Sequence, residues 1–164
     1  MNTIYLLRHA DAESRAQAED DHERALTEQG RADARRLGQF LGATEQLPDQ
    51  SICSTAVRAR QTAELLSEGG RWQGNVPLRS ARALYRAEPI DVLHEIQGAD
   101  PSLGAILLVG HEPAWSAVVS GLLGSGNVSL PPGTCVRIDT DRDWTDVAFG
   151  SGVLRWMVPP SVLR

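Results

Sequence analysis

The stretch Ala105-Ile106-Leu107-Leu108-Val109 decides the fold class of this chain, and Gly110-His111 follows it directly. Five consecutive apolar residues without polar alternation predict a strand that is buried on both faces. Such strands are typical of parallel sheets, which carry helices on either side. Other short apolar strands, separated by helices, are therefore expected elsewhere in the chain.

Two further runs predict strands, at Thr3–Leu7 and at Ser51–Cys53, and Val76–Leu78 is a weaker candidate. After residue 124 the pattern changes to short strands that could pair as hairpins. These are predicted at Val136–Asp139, Val147–Phe149 and Val153–Met157.

Four helices are predicted between the strands, each with a recognisable start or stop. Thr27 caps a helix from Glu28 to Gly42, Ser54 or Thr55 caps one that Gly69-Gly70 stops, Glu88-Pro89 begins a third, and Pro113 begins a fourth that reaches Leu123. The alternation of strands and helices predicts an α/β fold, a three-layer sandwich with a mainly parallel central sheet. We expect a single domain over residues 1–164.

The composition narrows the classes of protein that this chain can belong to. It has 164 residues with a net charge of -5, which disfavours nucleic-acid binding through a basic surface. No segment approaches the roughly 20 apolar residues of a membrane helix, and the N-terminus does not resemble a signal peptide. We expect a cytoplasmic monomer without a cofactor, in which Cys53 and Cys135 are buried, reduced thiols.

Polar residues follow three of the predicted strands at the points where they end. Arg8-His9 follows the first strand, Arg58 lies in the first helical turn after the second, and His111 follows the strand that ends at Val109. Ligands of open α/β sheets bind at the carboxyl ends of the strands. Because arginine forks suit phosphate oxygens, two arginines and two histidines at this edge predict a phosphate site.

The residues at these positions resemble the motifs of the histidine phosphatase superfamily. Four segments match in the order that the family has: Leu7-Arg8-His9-Ala10 with Ala in place of Gly, Leu26-Thr27-Glu28-Gln29-Gly30, Ser54 to Ala63 (STAVRARQTA), and Val109-Gly110-His111-Glu112-Pro113. The short chain, without a large insertion before residue 105, is similar to the SixA branch, the phosphohistidine phosphatases. The resemblance implies a phosphoglycerate-mutase-like fold.

The resemblance also implies roles for the four residues. His9 would be the covalent nucleophile, while Arg8, Arg58 and His111 would bind the phosphoryl group, with His111 as a cation. Glu112 and Glu88 are candidates for the general acid, as are Asp11 and Glu13, and the sequence leaves the choice open. His22 and His94 lie outside the motifs and are predicted to be ordinary surface histidines, and Arg60, beside the motif arginine Arg58, is predicted to be solvated.

Four hypotheses on function remain open at this point. The chain could dephosphorylate phosphohistidine in a protein. It could instead hydrolyse a small phosphorylated metabolite in a pocket built by residues 12–23 and 83–88. A metal site formed by His9, Asp11, Glu13 and His111 is a third hypothesis, although no helical ligand spacing supports it. A phosphate-binding module without activity is the fourth.

Overall fold

The computed structural model describes all 164 residues of the chain. Its six strands are β1 (Asn2–Arg8), β2 (Gln50–Ser54), β3 (Leu78–Ala81), β4 (Ala105–Gly110), β5 (Cys135–Thr140) and β6 (Val153–Val158). Its five α-helices are α1 (Glu28–Ala43), α2 (Val57–Gly70), α3 (Pro89–Gln97), α4 (Ala114–Leu123) and the short α5 (Pro160–Leu163).

The strands form one sheet in the order β3-β2-β4-β1-β5-β6. The first four of these strands are parallel to one another, whereas β5 runs antiparallel to β1 and β6 antiparallel to β5. The predicted mainly parallel α/β sheet is therefore confirmed. The antiparallel part comes from the C-terminal strands, where the sequence pattern favours hairpins.

Helices cover the sheet on both sides and make the three predicted layers. Alternate residues of β1 enter different cores, because successive side chains of a strand point to opposite faces. Ile4 and Leu6 belong to the core beneath α3 and α4, whereas Tyr5 and Leu7 belong to the core beneath α1 and α2. Helix α5 packs against α1.

Two of the weaker strand predictions need correction. The third strand is displaced to Leu78–Ala81, because the amide of Val76 bonds back to the carbonyl of Trp72 and closes a turn at the predicted position. Residues Val147–Phe149 form no strand. They follow a 3-10 helix, Trp144–Asp146, in which the indole of Trp144 is buried and donates a hydrogen bond to the carbonyl of Leu103.

The helix caps confirm one prediction and overturn another. The hydroxyl of Thr27 accepts a hydrogen bond from the amide of Gly30, as a capping threonine should. Helix α2 instead begins after Ala56, which offers no side-chain cap, so neither Ser54 nor Thr55 caps it. The hydroxyl of Ser54 accepts from the amide of Ala56 and faces the polar edge of the sheet, where it has another partner.

Both cysteines, Cys53 and Cys135, are buried free thiols, as expected. No helix in the chain has the length and apolar character needed to cross a bilayer.

Candidate active site

The two histidines of the motifs meet at the carboxyl edge of the sheet. Strands β1 and β4 pair in register, with Arg8 opposite Gly110. The amide of His9 donates to the carbonyl of Gly110 over 2.9 Å. A histidine directly follows each of these two strands, so the paired strands bring the two rings together. The centroids of the rings of His9 and His111 lie 5.1 Å apart.

A small residue is required between β4 and His111. A Cβ atom on Gly110 would lie 2.0 Å from the indole of Trp115, which packs against the strand and is fully buried. Gly110 thus lets the first turn of α4 close onto the sheet edge, and this close packing places His111 beside His9.

The hydrogen bonds of His9 fix its tautomer. Its Nδ1 lies 2.8 Å from the carbonyl oxygen of Ala10, which can only accept, so Nδ1 carries the proton. The Nε of Arg58 lies 3.3 Å from Nε2 and can only donate, so Nε2 keeps its lone pair. Burial, together with the nearby arginines, lowers the pKa of His9 to about 4, and the ring is neutral at pH 7.

Arg58 is buried between His9 and an acidic residue that the motifs do not include. Its Nη1 donates to the carbonyl oxygen of Asp21 over 2.7 Å, and its Nη2 donates to the carboxylate Oδ2 of Asp21 over 3.1 Å. Three of the five N–H groups of Arg58 are therefore engaged, and two remain for a ligand.

Arg8 reaches the same edge from the end of β1. Its Nη1 donates to the carbonyl of Leu130 over 2.6 Å, while its Nε is buried without a hydrogen-bond partner. Burial lowers the pKa of Arg8, and Glu112 opposes that shift. A buried donor without a partner is costly unless a ligand accepts from it, so the Arg8 side chain is prepared for an anion.

His111 is held by Ser54, at the end of β2. Its Nε2 lies 2.7 Å from the Ser54 hydroxyl oxygen, and its Nδ1 is buried without a partner. Burial and the neighbouring His9 and Arg58 lower the pKa of His111 to about 3. The ring of His111 is therefore neutral at pH 7 in the free site, and the cation expected beside a phosphoryl group would need that anion to stabilise it.

These groups line a cavity of about 300 Å³. Five arginines and only two carboxylates face it, so its electrostatic potential favours an anion. The lining consists of Arg8, His9, Arg15, Asp21, Arg24, Arg58, Tyr85, Arg86, His111 and Glu112. The structure thus brings together Arg8, His9, Arg58 and His111, the four residues selected from the sequence.

Sequence reasoning missed Asp21, which joins much of this cavity together. Its carboxylate accepts hydrogen bonds from Arg58, Arg24 and the hydroxyl of Tyr85. Burial opposes ionisation of Asp21, but these donors outweigh it and hold its pKa well below the ordinary range. The residue lies in a polar stretch without periodicity, where only its charge hinted at a role.

Two of the three residues predicted to lie on the surface do so, and the third does not. Arg60 and His94 are exposed, as predicted. His22 is half-buried: its Nε2 lies 3.0 Å from the hydroxyl of Thr55, and its ring meets that of Tyr85, a residue of the cavity wall, edge-on. The prediction of an ordinary surface residue is wrong for His22.

Other motif residues position the segments around the site. The hydroxyl of Thr62 accepts from the amide of Ala10 and donates to the carbonyl of Arg58, which ties the first and third motifs together. The side chain of Gln61 accepts from the amide of Leu26 in the second motif. Ala10 is fully buried, so its methyl group is accommodated at the position where most of the family has glycine.

The acidic candidates are unequally placed. Glu112 lies at the cavity wall, where its Oε1 accepts from the amide of Ser116. Glu88 lies outside this cavity, at the start of α3. Asp11 accepts from the hydroxyl of Thr27 and faces another pocket, and Glu13 does not line the cavity either.

No group of three or more His, Cys, Asp or Glu side chains is arranged to hold a metal ion, so the four-residue metal site is not assembled.

Comparison with known proteins agrees with this geometry. The model of the histidine phosphatase superfamily (branch 1) matches residues 4–85. An uncharacterized protein of Mycobacterium leprae is 36% identical over 83% of this chain and 79% of its own length. An uncharacterized protein of Mycobacterium tuberculosis is 40% identical over 60% of this chain, which spans 58% of that relative.

Among solved structures, that of a candidate phosphohistidine phosphatase SixA from Nakamurella multipartitia superposes with a TM-score of 0.82 at 28% identity. The superposition covers 97% of this chain and 96% of the other. The phosphoglycerate-mutase-like fold implied by the sequence motifs is thereby confirmed.

Proposed function

The chain belongs to the histidine phosphatase superfamily (branch 1), and from this premise we propose that it removes the phosphoryl group from a phosphohistidine side chain of another protein. Family membership supports a phosphatase activity. The observation that carries the covalent mechanism is the neutral His9, whose Nε2 lone pair is held beside a cavity lined by five arginines, and the similarity to a candidate SixA structure supports phosphohistidine as the substrate. The whole chain, residues 1–164, would act as one domain in the cytoplasm.

The first step transfers the phosphoryl group to His9. The Nε2 lone pair attacks phosphorus in line, the Nε2–P bond forms, and the N–P bond of the substrate breaks with its electron pair going to the substrate imidazole. Arg8 and Arg58 would bind the phosphoryl oxygens and stabilise their charge. The unpartnered Nδ1 of His111 is placed to add a hydrogen bond when it carries a proton.

The second step regenerates the enzyme. Water attacks phosphorus, the Nε2–P bond breaks with its electron pair returning to His9, and both hydrogens of the water leave with inorganic phosphate. Because the proton stays on Nδ1, which donates it to the carbonyl of Ala10 throughout, His9 returns to the tautomer from which it started. Neither step needs a metal ion or a cofactor.

The lack of a good proton donor in the site favours a phosphoramidate substrate over a phosphate ester. An alkoxide leaving group must be protonated, whereas an imidazole that already carries a proton on its other nitrogen leaves as a neutral ring. Asp21 is held ionised by its three donors and is a poor proton donor. Of the candidate acids only Glu112 lines the phosphate cavity, with Glu88 farther out, and a phosphoramidate substrate would not require either of them to donate a proton.

A small phosphorylated metabolite is the second candidate substrate. It is favoured by the walls of the cavity, since Arg15 and Asp21 come from residues 12–23 while Tyr85 and Arg86 come from residues 83–88. These two segments partly enclose the site. The same experiment therefore includes small phosphomonoesters as competitors.

The test is to incubate the protein in excess EDTA with a phosphohistidine-bearing protein, quench rapidly, and map acid-labile phosphate by mass spectrometry. His9→Ala is compared with His94→Ala, whose histidine is exposed and outside the site. We expect phosphate on His9, and substrate loss in wild type and His94→Ala but not in His9→Ala.

Two outcomes would overturn parts of the proposal. Full activity of His9→Ala would remove the covalent mechanism. Hydrolysis of small phosphomonoesters without any activity on phosphohistidine would keep the mechanism and move the substrate to metabolites.

A further inference from the structure

A second cavity opens directly beside the phosphate cavity. Its volume is about 480 Å³, and the two cavities share Arg86, His111 and Glu112 as a common wall. The second cavity lies between the start of α3 and the first turns of α4. It is therefore continuous with the site at which the phosphoryl group would react.

The two cavities differ in charge and polarity. The phosphate cavity has five arginines against two carboxylates, whereas the second cavity has one arginine against two carboxylates, Glu88 and Glu112. Most of the remaining wall is apolar, with Leu84 and Trp115 on the buried side and Ala117 at the exposed side. An anion is favoured in the first cavity and disfavoured in the second.

Glu112 has a free acceptor at the junction. Its Oε1 accepts from the amide of Ser116, and its Oε2 makes no hydrogen bond within the protein. Arg86, on the other side of the junction, adopts a φ of 56°, a left-handed conformation that is unusual for a residue with a side chain. Its guanidinium lies over the ring of Tyr85, 5.2 Å from the centroid. The wall that the two cavities share therefore contains two side chains of opposite charge, Arg86 and Glu112.

Resting on the proposed function, we infer that the second cavity holds the leaving-group side of the substrate, a histidine imidazole together with neutral or basic flanking residues of a polypeptide. The charge contrast supports this occupant, because a phosphoryl group on the arginines places the departing ring on the carboxylate side. The cavity is several times larger than one imidazole ring, so it has room for neighbouring residues of a chain. Metabolites with a second anionic group would be repelled from it.

The chemistry of the leaving ring fits the charge of the cavity. When the N–P bond breaks, its electron pair stays on the imidazole nitrogen, and the proton on the other ring nitrogen remains in place. The Oε2 of Glu112 would accept a hydrogen bond from that N–H and keep the ring protonated before the bond breaks. Glu88, farther out, would select against acidic flanking residues.

The size of the cavity is tested with two substrates that differ in the leaving group. Phosphoramidate releases ammonia, which needs no second cavity. A phosphohistidine peptide releases a larger leaving group, which would occupy the second cavity. Ala117→Trp fills the exposed side of the cavity, and Gln39→Trp, at an exposed position of α1, is the matched control. We expect Ala117→Trp to lower kcat/KM for the peptide by about tenfold or more and to leave phosphoramidate hydrolysis unchanged.

The charge of the cavity is tested with two phosphohistidine peptides that carry Lys or Glu beside the phosphohistidine. We expect wild type to prefer the Lys peptide, Glu88→Arg to reverse that preference, and Glu64→Arg, an exposed position of α2 outside both cavities, to change nothing. Thermal unfolding of each variant establishes that it is folded.

The outcomes separate this inference from the function on which it rests. If wild type hydrolyses both phosphoramidate and the peptides but Ala117→Trp affects both or neither, or Glu88→Arg leaves the preference intact, the leaving-group cavity is wrong and the phosphohistidine phosphatase stands. If wild type hydrolyses neither kind of substrate, the proposed function fails, and the inference fails with it.

Discussion

The Nε of Arg58 lies 3.3 Å from the Nε2 of His9 and donates a hydrogen bond to it. One arginine therefore selects the reactive tautomer of the histidine and also presents its remaining N–H groups to the cavity. Because the guanidinium is always protonated, it donates a hydrogen bond to Nε2 without giving up its proton, so Nε2 keeps its lone pair. It only has to release the lone pair when phosphorus approaches.

Arg58→Ala should lower kcat for phosphohistidine hydrolysis by about 10²- to 10³-fold, because the variant loses both a phosphoryl ligand and the donor to His9. Arg58→Lys should recover only part of this activity, since a lysine keeps the charge but has no planar fork. Single-turnover kinetics measure the effect. Arg60→Ala, two residues from Arg58 on α2 and exposed, is the control and should match wild type.

Asp21→Ala should destabilise the protein, since Arg58 is buried and Asp21 is its only carboxylate partner. Breaking a buried ion pair from one side costs about 3–5 kcal/mol. Inorganic phosphate would replace the missing anion, so it should raise the Tm of the variant more than the Tm of wild type. Asp141→Ala, which removes an exposed pair with Arg142, should show neither effect. Equal phosphate responses in the two variants would contradict this account.

Ser54→Ala should weaken the placement of His111, because it leaves the buried Nε2 of that ring without its partner at 2.7 Å. We expect a loss of about 1–3 kcal/mol in the free energy of unfolding and a drop in kcat of about tenfold. Urea denaturation and steady-state kinetics measure the two effects. Ser80→Ala, on the neighbouring strand and exposed, should preserve both quantities. A stable Ser54→Ala protein with unchanged kcat would argue against a positioning role for Ser54.

The parts of the site that could be predicted from sequence are those that follow buried strands. The apolar runs before His9 and His111 define β1 and β4, and the sheet then forces these residues to one edge. Arg58 is predictable for the same reason, because it follows β2 by a few residues. The proximity of the four motif residues is thus a consequence of strand order and register.

The parts that could not be predicted depend on tertiary contacts. Asp21 lies in a 3-10 helix, Asp21–Glu23, whose place is set by Arg58, Arg24 and Tyr85 rather than by local periodicity. The position of strand β3 was predicted wrongly because its residues are mostly exposed and lack the apolar alternation that marks a strand in the sequence. The charges of His9 and His111 depend on burial next to arginines, which no local pattern records.

Gly30→Ala should destabilise the protein and lower its activity together. A Cβ at Gly30 would lie 2.1 Å from the carbonyl oxygen of Asp11, so the segment that follows His9 would have to move. Overpacking of this kind costs about 1–3 kcal/mol. Gly98→Ala is the matched control, because its nearest contact is 3.4 Å away and its φ of -81° suits alanine. Thermal unfolding and kcat/KM of the two variants decide the matter, and equal behaviour would contradict the steric argument.

The stability of the protein should fall as the pH drops from about 6.5 towards 4, partly because of His9 and His111. Their folded pKa values of about 4 and about 3 lie below the ordinary value of 6.5, so between these limits the unfolded chain binds more protons than the folded one. Stability from such groups is present above pH 6.5 and is lost as the pH falls through the folded pKa. At pH 5 each ring would cost on the order of 2 kcal/mol.

Urea denaturation of wild type and His9→Asn at pH 7.5 and 5.0 measures this contribution. Carboxyl groups also titrate in acid, but their effect is shared by both proteins and cancels in the difference. The loss of stability between the two pH values should therefore be smaller in His9→Asn than in wild type, whereas His94→Asn, in which an exposed histidine is replaced, should lose as much as wild type. An identical loss in all three proteins would show that His9 is not held neutral by its surroundings, and the nucleophile would then lack the state that the site geometry gives it.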